Sequence, residues 1–113
     1  MISYTQQLYS GTATATGNTQ ATPVITRHAK ECALFLDITA VSGTLPTLDV
    51  TINIYDRFSG KWYLLATFTQ KSSVTTDVGY VEYGLGEKMS ITYTIGGTTP
   101  SFTFAINATL KER

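Results

Sequence analysis

Cysteine, histidine and charged residues are all scarce in this 113-residue sequence. The one cysteine, Cys32, has no partner within the chain, which excludes a disulfide-stapled secreted scaffold. Charged residues make up 14% of the chain, against about 25% in an average soluble domain. Basic and acidic residues balance at eight each, and this electroneutrality argues against a nucleic-acid partner, which would need clustered positive charge. Low net charge instead favours association with other protein surfaces.

Long apolar runs are also missing. No stretch reaches the roughly 18 apolar residues that a membrane-spanning helix requires, so no membrane partner is expected. The first seven residues lack the basic and apolar regions of a signal peptide. We therefore expect the protein to fold in a reducing cytoplasm.

The residues that carry catalysis or bind metals are few and scattered. His28 and Cys32 are four residues apart, and on a helix they would share a face as a metal pair or a Cys-His dyad. The flanking pattern is typical of a strand or loop, so Cys32 is expected to be a small buried hydrophobe and His28 an exposed loop residue. A structural zinc site needs about four such ligands. The sequence thus predicts no enzyme, no metal and no cofactor.

Apolar and polar residues alternate one by one in five segments, which is the period of a strand with one face on a core. These segments are residues 33–40, 48–55, 62–69, 89–95 and 102–110. A sixth strand is predicted between Val74 and Tyr83, with a bulge at Gly79. Turn residues separate the segments, and no stretch has the 3.6-residue period of a helix.

The predicted fold is therefore an all-β, antiparallel β-sandwich of six to eight strands, immunoglobulin-like or jelly-roll-like, with an extended N-terminal arm. Alternation assigns one apolar set to a common core. This predicted core consists of Leu36, Ile38, Val50, Ile52, Leu64, Phe68, Ile91, Tyr93, Phe104 and Ile106.

The first 32 residues differ from the rest, because residues 10–19 contain no large apolar side chain. Residues 1–32 are predicted to be an extended arm and first edge strand, and residues 33–113 the sandwich. One interpretation is a mobile tail. The other is an arm, disordered in the free protein, that docks on a neighbouring subunit through Tyr4, Leu8 and Tyr9.

A weak internal repeat joins two distant segments. Residues 43–53 match residues 97–107, each beginning with a Gly-Thr-x-Pro motif and continuing as an alternating strand. One interpretation is convergent hairpin chemistry, in which glycine and proline each suit a turn. The other is a pair of pseudo-symmetric hairpins, one in each sheet of the sandwich.

Four aromatic residues surround one loop: Tyr55, Phe58, Trp62 and Tyr63. Three interpretations are open. Trp62 caps the core while the others cover a hairpin end, or the rings anchor a protein interface, or they stack on a sugar. The third would make the chain a carbohydrate-binding or adhesion module.

The segment Leu36–Ile52, with its run Ala40-Val41-Ser42-Gly43-Thr44, resembles a hairpin pattern of small virion proteins of tailed bacteriophages. In that pattern an aspartate-containing loop, a tryptophan-containing strand and a Phe-Thr ending follow, as they do here between Tyr55 and Thr69. Residues 91–104 are similar to the C-terminal hairpin of these proteins, so the resemblance covers about Leu34 to Leu110.

This resemblance implies a non-enzymatic structural protein located in the virion, most simply a capsid decoration or cement protein. A tail or neck component is the alternative within the virion. The implied partners are the major capsid protein or other virion proteins and further copies of the chain, with a trimer favoured. No functional residue carries over, because the pattern reflects folding rather than a site.

Overall fold

Seven strands and no helix make up the part of the chain that the structure, a computed structural model, describes: residues 3–26, 29–81 and 85–112. The strands are β1 (Ser3–Ala13), β2 (Gly17–Asn18), β3 (Val24–Ile25), β4 (Ala29–Asp56), β5 (Lys61–Thr67), β6 (Thr75–Val81) and β7 (Lys88–Glu112). All the pairings between them are antiparallel.

Two long strands, β4 and β7, organise the sheet. They pair with each other from Ala29 opposite Glu112 to Ile54 opposite Met89. The other strands flank this central pair: β1, β2 and β3 pair with β7, whereas β5 and β6 pair with β4. Because each flanking strand covers only part of a long strand, the sheet has two distinct halves.

The two halves form two layers. The first layer contains β1, residues 101–112 of β7, residues 29–42 of β4, and β6. The second contains β2, β3, residues 88–96 of β7, residues 47–56 of β4, and β5. Buried side chains from both halves belong to one apolar cluster. This confirms the all-β, sandwich-like prediction, with the difference that both layers belong to one continuous sheet that is not closed into a barrel.

The core confirms most of the alternation pattern. Eight of the ten predicted core residues are buried, and Tyr93 is half-buried against them. The prediction is wrong for Leu64, because its side chain is 65% exposed. A register shift explains the error: Ile52 lies opposite Ala66, but Asn53 lies opposite Leu64, so Leu65 is a bulge. A bulge reverses the faces of the residues on one side of it, and Leu64 therefore turns outward.

The sixth strand exists, but the bulge predicted at Gly79 does not. β6 pairs with residues 32–38 of β4 without a register shift. Gly79 lies opposite Leu34, beneath the ring of Phe68, whose nearest atoms would be 3.5 Å from an added Cβ. The glycine marks a close packing contact rather than an irregularity. Tyr83, also assigned to this strand, lies outside the described residues.

The N-terminal segment is extended, but it docks on its own sheet. β1 pairs with β7 from Ser3 to Ala13, with a bulge at Leu8. Leu8 and Ala13 are 5% and 6% exposed and belong to the core. The sequence analysis expected either a mobile tail or an arm that is disordered in the free protein. In the structure a few inward side chains and the pairing with β7 hold the segment on its own sheet. The division at residue 33 stays a prediction.

The repeated Gly-Thr-x-Pro segments do not form hairpins. Each lies within a long strand, at the place where the sheet passes from one layer to the other. They face each other, with Thr44 opposite Thr98, and Leu45 and Thr99 have matching left-handed φ values of 49° and 50°. The repeat therefore reflects a local pseudo-two-fold relation between β4 and β7.

Candidate interaction surfaces

The loop between β4 and β5 is a tight turn built by Asp56. Its backbone carbonyl accepts the Gly60 amide at 2.8 Å, and its carboxylate accepts the amides of Phe58 at 3.2 Å and Ser59 at 3.3 Å. Hydrogen bonds from Ser59 and then from Phe58 hold the pKa of Asp56 below its ordinary value. This hydrogen-bonded turn presents the Phe58 side chain to solvent, 92% exposed.

Tyr55 and Trp62 form a cross-strand pair beside this turn. They lie opposite each other on β4 and β5, with ring centroids 5.2 Å apart. The Lys88 ammonium lies 4.3 Å from the centroid of the Tyr55 ring and 5.9 Å from that of Trp62. The side chains of β4 alternate between facing the core and facing outward. Tyr55 is at an outward position, so the Tyr55–Trp62 pair lies on the outer face of the second layer. Trp62 is half-buried there, outside the core, and it takes part in a cation–π contact.

A shallow groove of about 350 Å³ runs along the other side of the same hairpin. The Tyr63 ring, 48% exposed, lines it together with Phe58, and its hydroxyl donates to Ser59 Oγ at 3.2 Å. The remaining lining residues are Ile54, Tyr55, Asp56, Arg57, Gly86 and Glu87. The groove thus combines ring surfaces with charged groups of both signs.

A second exposed apolar surface, the β6 patch, consists of Phe35, Val78 and Tyr80 on the outer face of the first layer. Their side chains are 43%, 62% and 61% exposed. Phe35 lies directly opposite Val78, and Ala33 lies opposite Tyr80. Sequence reasoning missed this patch. The signal for it was Phe35, a large apolar residue at an outward-facing position of the alternating segment 33–40.

An ion pair closes the inner side of β6. Lys71 Nζ lies 2.6 Å from Asp77 Oδ2 and 2.7 Å from Thr69 Oγ1. The backbone of Lys71 pairs with Leu48, which fixes the lysine between the layers. The hydrogen bond from Lys71, followed by that from the Val78 amide, holds the pKa of Asp77 below its ordinary value.

The three residues assigned to a docking arm lie against their own domain. Tyr9 contacts Phe104 and Tyr93, with centroid distances of 4.6 and 5.1 Å. Burial, followed by the neighbouring Tyr93, raises the pKa of Tyr9. Leu8 is in the core and Tyr4 packs against it. In this arrangement these side chains attach β1 to the sheet instead of projecting toward a neighbour.

Cys32 is 1% exposed, and burial raises the pKa of its thiol to about 11. His28, the other half of the candidate pair, lies outside the described residues. Within the described ranges, no three His, Cys, Asp or Glu side chains are grouped as a metal site would require. The same ranges contain no helix of the length and apolar character needed to cross a membrane.

Comparison with known proteins finds no matching family profile and no matching curated sequence. Solved structures do match. The SPBc2 prophage-derived protein YomS aligns with a TM-score of 0.53 and 9% identity, over 96% of this chain and 92% of that one. The CBM22-1–GH10 modules of Clostridium thermocellum xylanase 10B, crystallised with xylohexaose, align with a TM-score of 0.52 and 9% identity, over 95% of this chain and 29% of that one. PirA aligns with a TM-score of 0.49 and 11% identity. At 9% identity, the matches to YomS and to the xylanase modules demonstrate a shared fold alone.

Proposed function

We propose that this chain is a non-enzymatic structural protein of a phage virion, bound in many copies to the head as a decoration or cement protein. The observation that carries the proposal is the alignment with the prophage-derived protein YomS, which spans nearly the whole length of both chains. The sequence resemblance to small virion proteins points the same way and is independent of that alignment.

The exposed apolar side chains suit such a role. Phe58 is held outward by a hydrogen-bonded turn, and Tyr63 lies beside it. Aromatic side chains are frequent anchors in protein interfaces. On a lattice of identical subunits each contact can be weak, because many simultaneous contacts raise the effective affinity. The partner would be the major capsid protein.

The proposal is tested on particles purified by density gradient from the cells that encode this chain. We expect mass spectrometry to find the protein in the particle fraction, in many copies and on the head. A low copy number with a location at the tail or neck would assign it to that part of the virion instead. Absence from washed particles would overturn the proposal.

A matched pair of variants then tests the hairpin tip as the contact. Phe58→Ala removes a 92% exposed ring, and Val74→Ala removes an exposed side chain elsewhere. We expect Phe58→Ala to lower occupancy on the particles at least tenfold while Val74→Ala leaves it unchanged. Equal occupancy of the two variants would show that Phe58 is not an anchor.

A second candidate function is carbohydrate binding, and the groove beside Tyr63 favours it. Its lining joins the rings of Phe58 and Tyr63 with the carboxylates of Asp56 and Glu87 and the guanidinium of Arg57. Ring faces stack on sugar rings, and groups of both signs can serve the hydroxyls of a neutral saccharide. The similarity to the xylanase modules supports this candidate at the level of fold.

Calorimetric titration with xylohexaose and a panel of neutral oligosaccharides separates the two candidates. Carbohydrate binding predicts saturable heat that Tyr63→Ala abolishes and that Tyr80→Ala, a tyrosine variant on the opposite layer, leaves unchanged. Wild-type protein that gives no heat with any saccharide would remove this candidate and leave the virion proposal standing.

A further inference from the structure

The sheet edges differ in how well they are protected against pairing with another chain. Exposed edges are normally blunted by bulges, by shortness or by charged side chains. In the described part of the chain, β1 has a bulge at Leu8 and β5 has one at Leu65. β2 and β3 are two residues long each. β6 has seven residues and pairs on one side with β4, without any register shift.

Charge does not protect the β6 edge either. The one residue of β6 that is charged at neutral pH is Asp77. Its side chain is 31% exposed, and its carboxylate is already engaged by Lys71 at 2.6 Å and by the Val78 amide at 2.8 Å. The residues that face outward are Thr76, Val78 and Tyr80. The strand is therefore regular and uncharged on its outer face, and β6 has no partner strand on its second side among the described residues.

We propose that β6 pairs antiparallel with β6 of a second copy of this chain, about a two-fold axis at Val78. In this register Val78 lies opposite itself, Tyr80 opposite Thr76, and Gly79 opposite Asp77. Gly79 has no side chain, so it leaves the ion pair between Asp77 and Lys71 undisturbed. A two-fold contact requires such self-complementarity, because each residue must suit its counterpart in an identical strand.

The charge pattern and the β6 patch select a second copy as the occupant. The single charge of β6 is already paired, so the strand has no free charge to attract a charged peptide. For the same reason, two β6 strands from two copies can pair without bringing like charges together. Pairing would also join the two patches of Phe35, Val78 and Tyr80 into one apolar surface across the dimer. The resulting first layers would form one continuous sheet, by strand addition.

This inference does not depend on the virion role. It predicts a dimer in solution, whereas the resemblance to virion proteins favours a trimer. Sedimentation equilibrium over a concentration series compares the wild type with Val78→Lys and with Val74→Lys, a change at another exposed valine outside the strand. We expect the wild type and Val74→Lys to dimerise and Val78→Lys to remain monomeric at tenfold higher concentration.

Circular-dichroism melts of the same samples establish that each variant is folded. A monomeric wild type at high micromolar concentration would overturn the inference, and so would a folded Val78→Lys variant that dimerises like the wild type. If the dimer forms but the protein is absent from particles, the virion proposal fails and this one stands.

Cysteine cross-linking tests the register itself. Residues directly opposite in an antiparallel pair have Cβ atoms about 4.5–5.5 Å apart, within reach of a disulfide. Val78→Cys should therefore give a covalent dimer on mild oxidation. Thr76→Cys places the two thiols about 14 Å apart along the strands and should not. Native Cys32 is 1% exposed and does not compete. Cross-linking through Thr76→Cys instead of Val78→Cys would overturn the proposed axis.

Discussion

Gly43 and Gly97 each fit against the backbone of the other's repeat. A Cβ at Gly43 would lie 2.7 Å from the carbonyl oxygen of Thr99, and a Cβ at Gly97 would lie 2.7 Å from that of Leu45. Their φ values are 110° and 109°. The equal distances and angles express the pseudo-two-fold relation of β4 and β7, and they place both glycines where the sheet passes between its layers.

The first prediction concerns these two glycines. Gly43→Ala and Gly97→Ala should destabilise the fold by similar amounts, because each combines a left-handed backbone with a clash against backbone atoms. Gly60→Ala is the control: its φ is 69°, but the nearest atom would be 3.9 Å away. It should cost only the backbone strain of about 1–2 kcal/mol. The clash should add about 1–3 kcal/mol at the other two positions. Urea unfolding measures the loss of stability in all three variants. Equal losses in all three would contradict the close backbone contact at Gly43 and Gly97.

The second prediction separates core from surface within the alternation pattern. Ile52→Ala should lower the free energy of unfolding by about 2–5 kcal/mol, because this side chain is fully buried between the layers. Leu64→Ala should lower it by less than about 1 kcal/mol, because the Leu65 bulge turns Leu64 into solvent. Denaturant melts of the two variants provide the measurement. A large loss in Leu64→Ala would place that strand in the other register.

The third prediction concerns the N-terminal strand. Leu8→Ala should destabilise the isolated domain by about 2 kcal/mol or more, because the side chain is 5% exposed and belongs to the core. Gln7→Ala, at the adjacent exposed position, should have little effect. Thermal melts of the free protein distinguish a docked strand from a free arm, since a free arm predicts the same midpoint for both variants and the wild type.

The fourth prediction concerns pH. Lys71 lowers the pKa of Asp77 in the folded protein, so the ion pair stabilises the fold above the unfolded-state pKa of about 3.9. That contribution is lost as the pH falls through the lower folded-state pKa. Asp77→Asn should therefore melt at a lower temperature than the wild type at pH 7, by the equivalent of at most about 1 kcal/mol, and the difference should shrink toward pH 2.

Asp37→Asn, at an exposed position of β4, is the control for this pH series. It should follow the wild-type curve. A constant gap between Asp77→Asn and the wild type at every pH would mean that the substitution acts through packing rather than through charge.

The limits of sequence reasoning appear at specific residues. Alternation correctly places Ile52, Phe104 and Ile106 in the core, because a strand's side chains alternate whatever its partner is. It fails at Leu64, because the bulge at Leu65 depends on how β5 pairs with β4. The aromatic set around the turn was found from the sequence, but its separation into an outer Tyr55–Trp62 pair and a groove beside Tyr63 was not.

Local patterns in the sequence are enough to predict the all-β class, most residues of the core and the position of the aromatic turn. These features follow from side-chain periodicity and from the conformations open to single residues. Three other features depend on how distant strands pair: the Gly-Thr-x-Pro segments face each other instead of closing hairpins, β1 docks on its own sheet, and β6 is a regular edge. Each depends on pairing between strands far apart in the chain, where backbone hydrogen bonds are equally available to several partners and only the assembled layers select one.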